Sequence, residues 1–228
     1  MPTPPLESIR LVVLDLDGTL VDAFEDIYRA TSHVLAQMKR PPLDFPTVKS
    51  YVGNGVEMLM RRTLRSDDPA LVGRAAAIWK AYSAEHAGEC ARLYPGAQAL
   101  LAGLRSLGVK SAVLSNKVHD LTVEIIDRLC GPAQLDAVWG ERPEFACKPD
   151  PGALKALMAH LNVRPAETLV VGDGAPDIEA AKAAGAWSCG ATWGLNPPDC
   201  LAELGADMLV DSLGQLQAAF EEAARQKP

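Results

Sequence analysis

Cysteine and histidine are scarce in this chain and are nowhere grouped as a metal site or a disulfide framework requires. The five cysteines (Cys90, Cys130, Cys147, Cys189, Cys200) are odd in number and lack any C-x-x-C spacing, and the four histidines (His33, His86, His119, His160) stand far apart. Zinc ligation and disulfide scaffolding are thereby excluded as organising features, and a reducing cytoplasm is the expected compartment. All five thiols are expected to be buried structural groups. Positive charge is also in deficit: 22 Lys and Arg against 29 Asp and Glu leave a net charge of -7. Nucleic acid and anionic membrane repel such a chain, so neither is an expected partner. No apolar run is long enough to span a bilayer. The Pro-rich start, Met1 to Ser8, lacks the basic region and apolar stretch of a secretory signal. Internal repeats and low-complexity tracts are missing too.

What remains is an ordinary globular composition, 48% hydrophobic and 22% charged over 228 residues, enough for about one or two domains. Near-continuous apolar strands alternate with helical patterns. Strands are expected at Arg10 to Asp15, Val109 to Leu114, Leu135 to Trp139, Thr168 to Val171, Trp187 to Ala191 and Met208 to Val210. Helices are expected between them, the last from Gly214 to about Arg225. That alternation predicts a Rossmann-like α/β fold, a parallel sheet covered by helices on both faces. One stretch departs from it. From Asp22 to about Glu89 the pattern is helical, with one helix over Gly55 to Leu64 and another capped by Asp67 or Asp68 with Pro69 in its first turn. The expected organisation is therefore a core built from 1–21 and 95–228, interrupted by a helical domain at 22–94.

Four short signatures then stand out in order: Asp15-Leu16-Asp17-Gly18-Thr19, Ser115-Asn116, Lys148-Pro149 and Gly172-Asp173-Gly174-Ala175-Pro176-Asp177. The first, second and fourth directly follow apolar strands, and strand carboxyl ends of a parallel sheet share one ligand-binding edge. Carboxylates, a hydroxyl and an ammonium gathered there suit a divalent cation together with a phosphate. If strand conformation persists through Asp17, the Asp15 and Asp17 side chains leave the same face of the pleat. One can then attack phosphorus while the other moves protons; the alternative is that both bond turn amides. Ser115-Asn116 reads either as a helix N-cap or as a clamp on a phosphoryl oxygen. Lys148, stiffened by Pro149 and Pro151, supplies the cation such a site needs, with Lys117 as the competing choice. Asp173 and Asp177 read as oxygen ligands of Mg²⁺, or as a turn closer and a first-turn helix acid.

These residues resemble the haloacid dehalogenase superfamily, whose four motifs match in order and cover nearly the whole chain. Asp-x-Asp-Gly-Thr followed by Leu20-Val21-Asp22 resembles the phosphatase branch, because Asp17 supplies the second acid that the dehalogenases lack. The resemblance implies Asp15 as nucleophile and metal ligand, and Asp17 as general acid/base with its backbone carbonyl on the metal. It implies Gly18, Thr19, Ser115, Asn116 and Lys148 around the phosphoryl group, Asp173 and Asp177 on Mg²⁺, and the helical insertion as a mobile cap. Within that insertion, Tyr51-Val52-Gly53-Asn54-Gly55-Val56-Glu57-Met58-Leu59-Met60 is similar to a stretch of bacterial phosphoglycolate phosphatases, as are Ser115-Asn116-Lys117, Lys148-Pro149-Asp150-Pro151 and Ala180-Ala181-Lys182-Ala183-Ala184-Gly185. Gly174-Ala175-Pro176, Ala23 and the stretch around Phe145-Ala146-Cys147 depart from their pattern. Gly53, Asn54 and Gly55 become candidate substrate contacts, either as a close approach of backbone to ligand or as a plain turn. Arg61, Arg62 and Arg65 read either as attractors of a substrate carboxylate or as a solvated face; they lie off the apolar face set by Val56, Leu59 and Leu64, with Glu57 placed to pair with Arg61, so the solvated face is expected for them.

The expected function is Mg²⁺-dependent hydrolysis of a small phosphorylated metabolite, foremost 2-phosphoglycolate, through an aspartyl-phosphate, by a monomer or homodimer. Two rivals use similar parts. A sugar phosphomutase of the same superfamily passes the phosphoryl group to a second hydroxyl. A phospho-receiver module also sets acids, Mg²⁺, a hydroxyl and a lysine on a parallel sheet, yet needs no large insertion after its first strand.

Overall fold

The computed structural model describes residues 3–131 and 133–226. Strand β1 (Leu11–Leu14) runs into a turn and then β2 (Val21–Asp22). Helices α1 (Phe24–Gln37), α2 (Phe45–Ser50), α3 (Gly55–Leu64) and α4 (Pro69–Glu85) follow, and β3 (Arg92–Leu93) returns to pair antiparallel with β2. Next come α5 (Ala97–Ser106), β4 (Lys110–Val118), α6 (His119–Cys130), β5 (Ala137–Glu141), α7 (Gly152–His160), β6 (Thr168–Gly172) and α8 (Ala175–Ala184). The chain finishes with β7 (Trp187–Ala191), α9 (Pro198–Glu203), β8 (Met208–Val210) and α10 (Leu213–Arg225).

Six of the strands form one parallel sheet in the order β5-β4-β1-β6-β7-β8. β1 is Leu-Val-Val-Leu with every residue buried, as a central strand covered on both faces demands. Its side chains alternate between two apolar clusters. Val12 and Leu14 join Leu100, Leu104, Ile125, Leu216 and Phe220 under α5, α6 and α10. Leu11 and Val13 join Leu154, Leu157, Ala180 and Ala181 under α7 and α8. Because β1 is flanked by β4 on one side and β6 on the other, the strand order reverses around it. The carboxyl ends of these three strands border the crevice where such sheets bind ligands.

The helices between β2 and β3 have a separate core, with Phe24, Ile27, Val34, Leu59, Met60 and Trp79 at its centre. Their boundaries follow local chemistry. Asp44 Oδ1 accepts the Thr47 N–H at 2.8 Å ahead of α2, and Asp68 Oδ1 accepts the Ala70 N–H at 3.0 Å ahead of α4, with Pro69 in the first turn.

Several expectations need correction. Regular strand β1 ends at Leu14, one residue short of the expected Asp15, and the condition that strand conformation persist through Asp17 is not met, because the chain folds back on itself: the Thr19 and Leu20 N–H groups both donate to the Leu16 carbonyl. β4 runs on to Val118, so Ser115 and Asn116 lie within a strand and cap no helix; Val118 still pairs with Glu141 of β5 beyond an irregularity. The β2–β3 ladder and α9 were invisible as periodic patterns, being two residues per strand and a single short helix. Of the five thiols only Cys189 is buried, and Cys200 is exposed on α9.

Candidate active site

Asp15 directly follows β1, and its N–H still donates to the Val171 carbonyl of β6 at 2.9 Å. The main-chain bond holds the aspartate at the edge while the chain turns away. Leu16 then drops fully into the core, and Gly18 takes φ +89°, a left-handed conformation that glycine adopts at no steric cost. A Cβ there would also overlap the Asp173 carboxylate. The turn thus replaces the pleat as the device that puts Asp15 and Asp17 on one cavity wall.

Lys148 is the hub of the site. Its side chain is 4% exposed, and Nζ donates to Asp15 Oδ1 at 2.8 Å, Asp177 Oδ1 at 2.6 Å and the Leu114 carbonyl at 2.7 Å. Burial opposes its charge, but Asp15 and Asp177 hold the ammonium above its ordinary range. Lys117, the competing choice, has different work: its Nζ lies 3.0 Å from both carboxylate oxygens of Asp17. Both lysines therefore belong to the site, one per aspartate of the first signature.

Asp173 directly follows β6, and Asp177 sits in the first turn of α8. Thr19 Oγ1 donates to Asp173 Oδ1 at 3.3 Å, and the Leu195 N–H donates to Oδ2 at 2.7 Å. Asp177 Oδ2 accepts the Gly174 N–H at 3.3 Å. Gly172 leaves room for this packing, since a Cβ on it would overlap the Asp177 side chain. Oxygens of Asp15, Asp173 and Asp177 come within 4.8 Å of one another; the Asp17 carboxylate is not part of that cluster. Burial first, then the charges of Asp15 and Asp177, push Asp173 up to about 8. Burial likewise lifts Asp177 to about 6 against the pull of Lys148. Asp17 is raised by burial despite Lys117. A divalent ion held by Asp15, Asp173 and Asp177 would add positive charge beside these buried acids. An all-oxygen carboxylate set with no thiol or imidazole is the donor chemistry that hard cations such as Mg²⁺ take.

From β4, the Ser115 hydroxyl accepts the Lys117 N–H at 3.2 Å and lines the same cavity. The amide of Asn116 is spent on scaffolding. Its Oδ1 accepts the Lys148 N–H at 2.7 Å, and its Nδ2 donates to the carbonyls of Lys148 at 2.9 Å and Gly53 at 3.0 Å. One side chain thus ties the lysine loop and the helical insertion to β4. The cavity spans about 460 Å³. Gly53, Asn54, Gly55, Val56 and Leu59 of the insertion form its opposite wall.

Some lining residues were not foreseen. Leu195 and Asn196 follow β7 at the same sheet edge, so strand-end placement was a usable signal for them. Arg62 also lines the cavity, contrary to the solvated face expected for it. It is drawn in because Nη1 donates to the Tyr51 carbonyl at 2.8 Å and Nη2 to Asn54 Oδ1 at 2.9 Å. Arg61 pairs with Asp67 at 3.2 Å, not with Glu57, and Arg65 is exposed.

A parallel sheet with helices on both faces, a helical insertion after its first strand and an acidic cluster at its carboxyl edge define an α/β protein with a candidate cation and phosphate site. The chain belongs to the haloacid dehalogenase-like hydrolases, whose family model matches residues 12–191. It is similar to a phosphoglycolate phosphatase of Cupriavidus necator, 38% identical over 93% of both chains. It is also similar to a phosphoglycolate phosphatase of Pseudomonas putida, 35% identical over 91% of this chain and 78% of that one. Among solved structures, a predicted phosphoglycolate phosphatase from Haemophilus somnus 129PT superposes with a TM-score of 0.84 at 25% identity, covering 93% of this chain and 98% of that one. The protein is accordingly a phosphoric monoester hydrolase of this family, resembling the bacterial phosphoglycolate phosphatases. Phosphatases of this family use a divalent metal, and the donor set described above fits one. Among the described residues no helix is long and apolar enough to cross a membrane.

Proposed function

We propose that the enzyme is a Mg²⁺-dependent phosphomonoesterase that hydrolyses a small phosphorylated metabolite, 2-phosphoglycolate, through an aspartyl-phosphate on Asp15. One observation carries this: a buried lysine joins Asp15 to Asp177 beside Asp173, in the lining of a cavity that the helical insertion also walls. Attack by an Asp15 carboxylate oxygen forms an O–P bond as the ester O–P bond breaks, and the proton of Asp17 goes to the departing alkoxide. Asp17 then takes a proton from water as that water attacks phosphorus, releasing Asp15 and inorganic phosphate. Burial, which raises Asp17, suits a group that must begin the cycle protonated. Lys148 and the Ser115 hydroxyl hold the phosphoryl oxygens and offset their charge. Gly18 and Thr19 contribute the tight turn beside them. Asp15, Asp173 and Asp177, with the Asp17 carbonyl, would hold Mg²⁺, which when bound neutralises charge on the transferring group. Residues 22–94 act as a cap over a core of 1–21 and 95–228, with Gly53, Asn54 and Gly55 facing the substrate. Five unpaired cysteines fit a reducing cytoplasm as the workplace.

The test is phosphate release from a panel of phosphorylated metabolites, with Mg²⁺ and with chelator, ranked by kcat/KM. Phosphoglycolate is expected to lead, with activity abolished by chelation. A product isomerised without free phosphate, or undiminished turnover in chelator, would sink the proposal.

A further inference from the structure

Three cations line the cavity: Lys117, Lys148 and Arg62. Two already have carboxylate partners within salt-bridge distance, Lys117 in Asp17 at 3.0 Å and Lys148 in Asp15 and Asp177. Arg62 alone has no carboxylate within salt-bridge distance among the described residues. Its guanidinium is held by two neutral acceptors, the Tyr51 carbonyl and Asn54 Oδ1, and both bonds fix its direction without cancelling its charge. An arginine carries five N–H donors in a planar fork, so donors remain for another partner. The insertion also contributes the apolar side chains of Val52, Val56, Leu59 and Trp79 to the cavity lining, and an ion pair formed away from water is stronger. This unbalanced charge belongs to the insertion, across the cavity from the phosphoryl-handling residues of the sheet edge.

Resting on the carboxylated substrate proposed above, we propose that Arg62 is the specificity residue that receives the substrate's carboxylate. The phosphoryl group lies at Asp15 and Lys148, and the far end of the molecule reaches the fork of Arg62. Planar guanidinium and planar carboxylate pair through parallel hydrogen bonds. A site built for that pairing rejects an analogue lacking the carboxylate, because the fork is then left unpaired. Asn54 is a positioning residue: as a neutral acceptor it orients the fork without competing for its charge.

The experiment compares kcat/KM for phosphoglycolate with that for ethyl phosphate, which has the same carbon count but no carboxylate. In wild type the ratio is expected to lie well above one. In Arg62→Met the ratio should fall by roughly 30-fold or more. Arg62→Lys should recover only part of it, since a point charge does not reproduce the fork. Asn54→Asp is nearly isosteric and spares the fold; it sets a carboxylate against the guanidinium and should collapse the ratio as well. Equal losses on both esters, leaving the ratio within about threefold of wild type in folded Arg62→Met and in Asn54→Asp, would reduce Arg62 to a loop brace and overturn the assignment. A wild-type ratio near one would instead refute the choice of phosphoglycolate, a failure visible before any variant is made.

Discussion

Metal-free protein should become less stable as pH rises from about 5 to about 8, the reverse of what paired surface carboxylates produce. Asp173 and Asp177 are almost fully buried, and their folded pKa values are pushed up to about 8 and about 6 from the ordinary 3.8. Between those limits the unfolded chain has released its protons while the native state still holds them. Protons then favour the native state, and raising pH removes that advantage. Stability from these groups is complete below the unfolded value near 4 and is lost as pH climbs through the folded ones. At about 1.4 kcal/mol per pKa unit, Asp173 alone accounts for a loss of roughly 4 kcal/mol between about pH 5 and about pH 8. Glu167 is depressed to about 2 by Arg164 and titrates outside this window. A divalent ion binds the ionised acids, so its stabilisation should grow over the same pH interval. The assay is Tm by calorimetry at pH 5, 6, 7 and 8, in chelator and in millimolar Mg²⁺. Asp173→Asn should flatten the metal-free slope and blunt the response to Mg²⁺. A metal-free Tm independent of pH in wild type, or an equal Mg²⁺ shift at pH 5 and pH 8, would refute the electrostatic account.

Asp15→Asn should lower phosphate release by at least about 10³-fold while circular dichroism stays native, because the side chain keeps its size but loses its nucleophilic charge. Trapping with a phosphate-mimicking fluoride complex should label the wild type and not this variant. Asn116→Ala removes three hydrogen bonds at once. We expect a loss of roughly 2–4 kcal/mol in urea unfolding, together with a kcat decrease from a displaced Lys148. Lys117→Met strips the partner that opposes the burial of Asp17, so the basic limb of the kcat/KM profile should move to higher pH. An unmoved limb would assign that limb to another group.

The parallel core was legible because its strands are unbroken apolar runs: Leu11 to Leu14 and Leu169 to Val171 have no surface pattern to confuse them with anything else. Helix caps were legible for the same local reason, as Asp68-Pro69 shows, since a cap depends on its nearest neighbours. The four acidic and basic signatures could be placed at one edge because parallel strands all point their carboxyl ends the same way. What failed was whatever depends on contacts between distant segments. The pleat expected to carry Asp15 and Asp17 gave way to a turn around the Leu16 carbonyl. The choice between Lys117 and Lys148 dissolved once each was seen to hold its own aspartate.

By itself the order of residues determined the class of fold, the chemistry of the acids and the single carboxylate-rich edge, because periodicity and strand polarity are local and directional. Only tertiary structure decided which charges cancel. Asn116 joining β4 to Gly53 and Lys148, and Arg62 left without a carboxylate while its neighbours pair, depend on distances between segments far apart in the chain. Hydrogen bonds and ion pairs act over a few ångströms in space, and spacing along the chain carries no record of that.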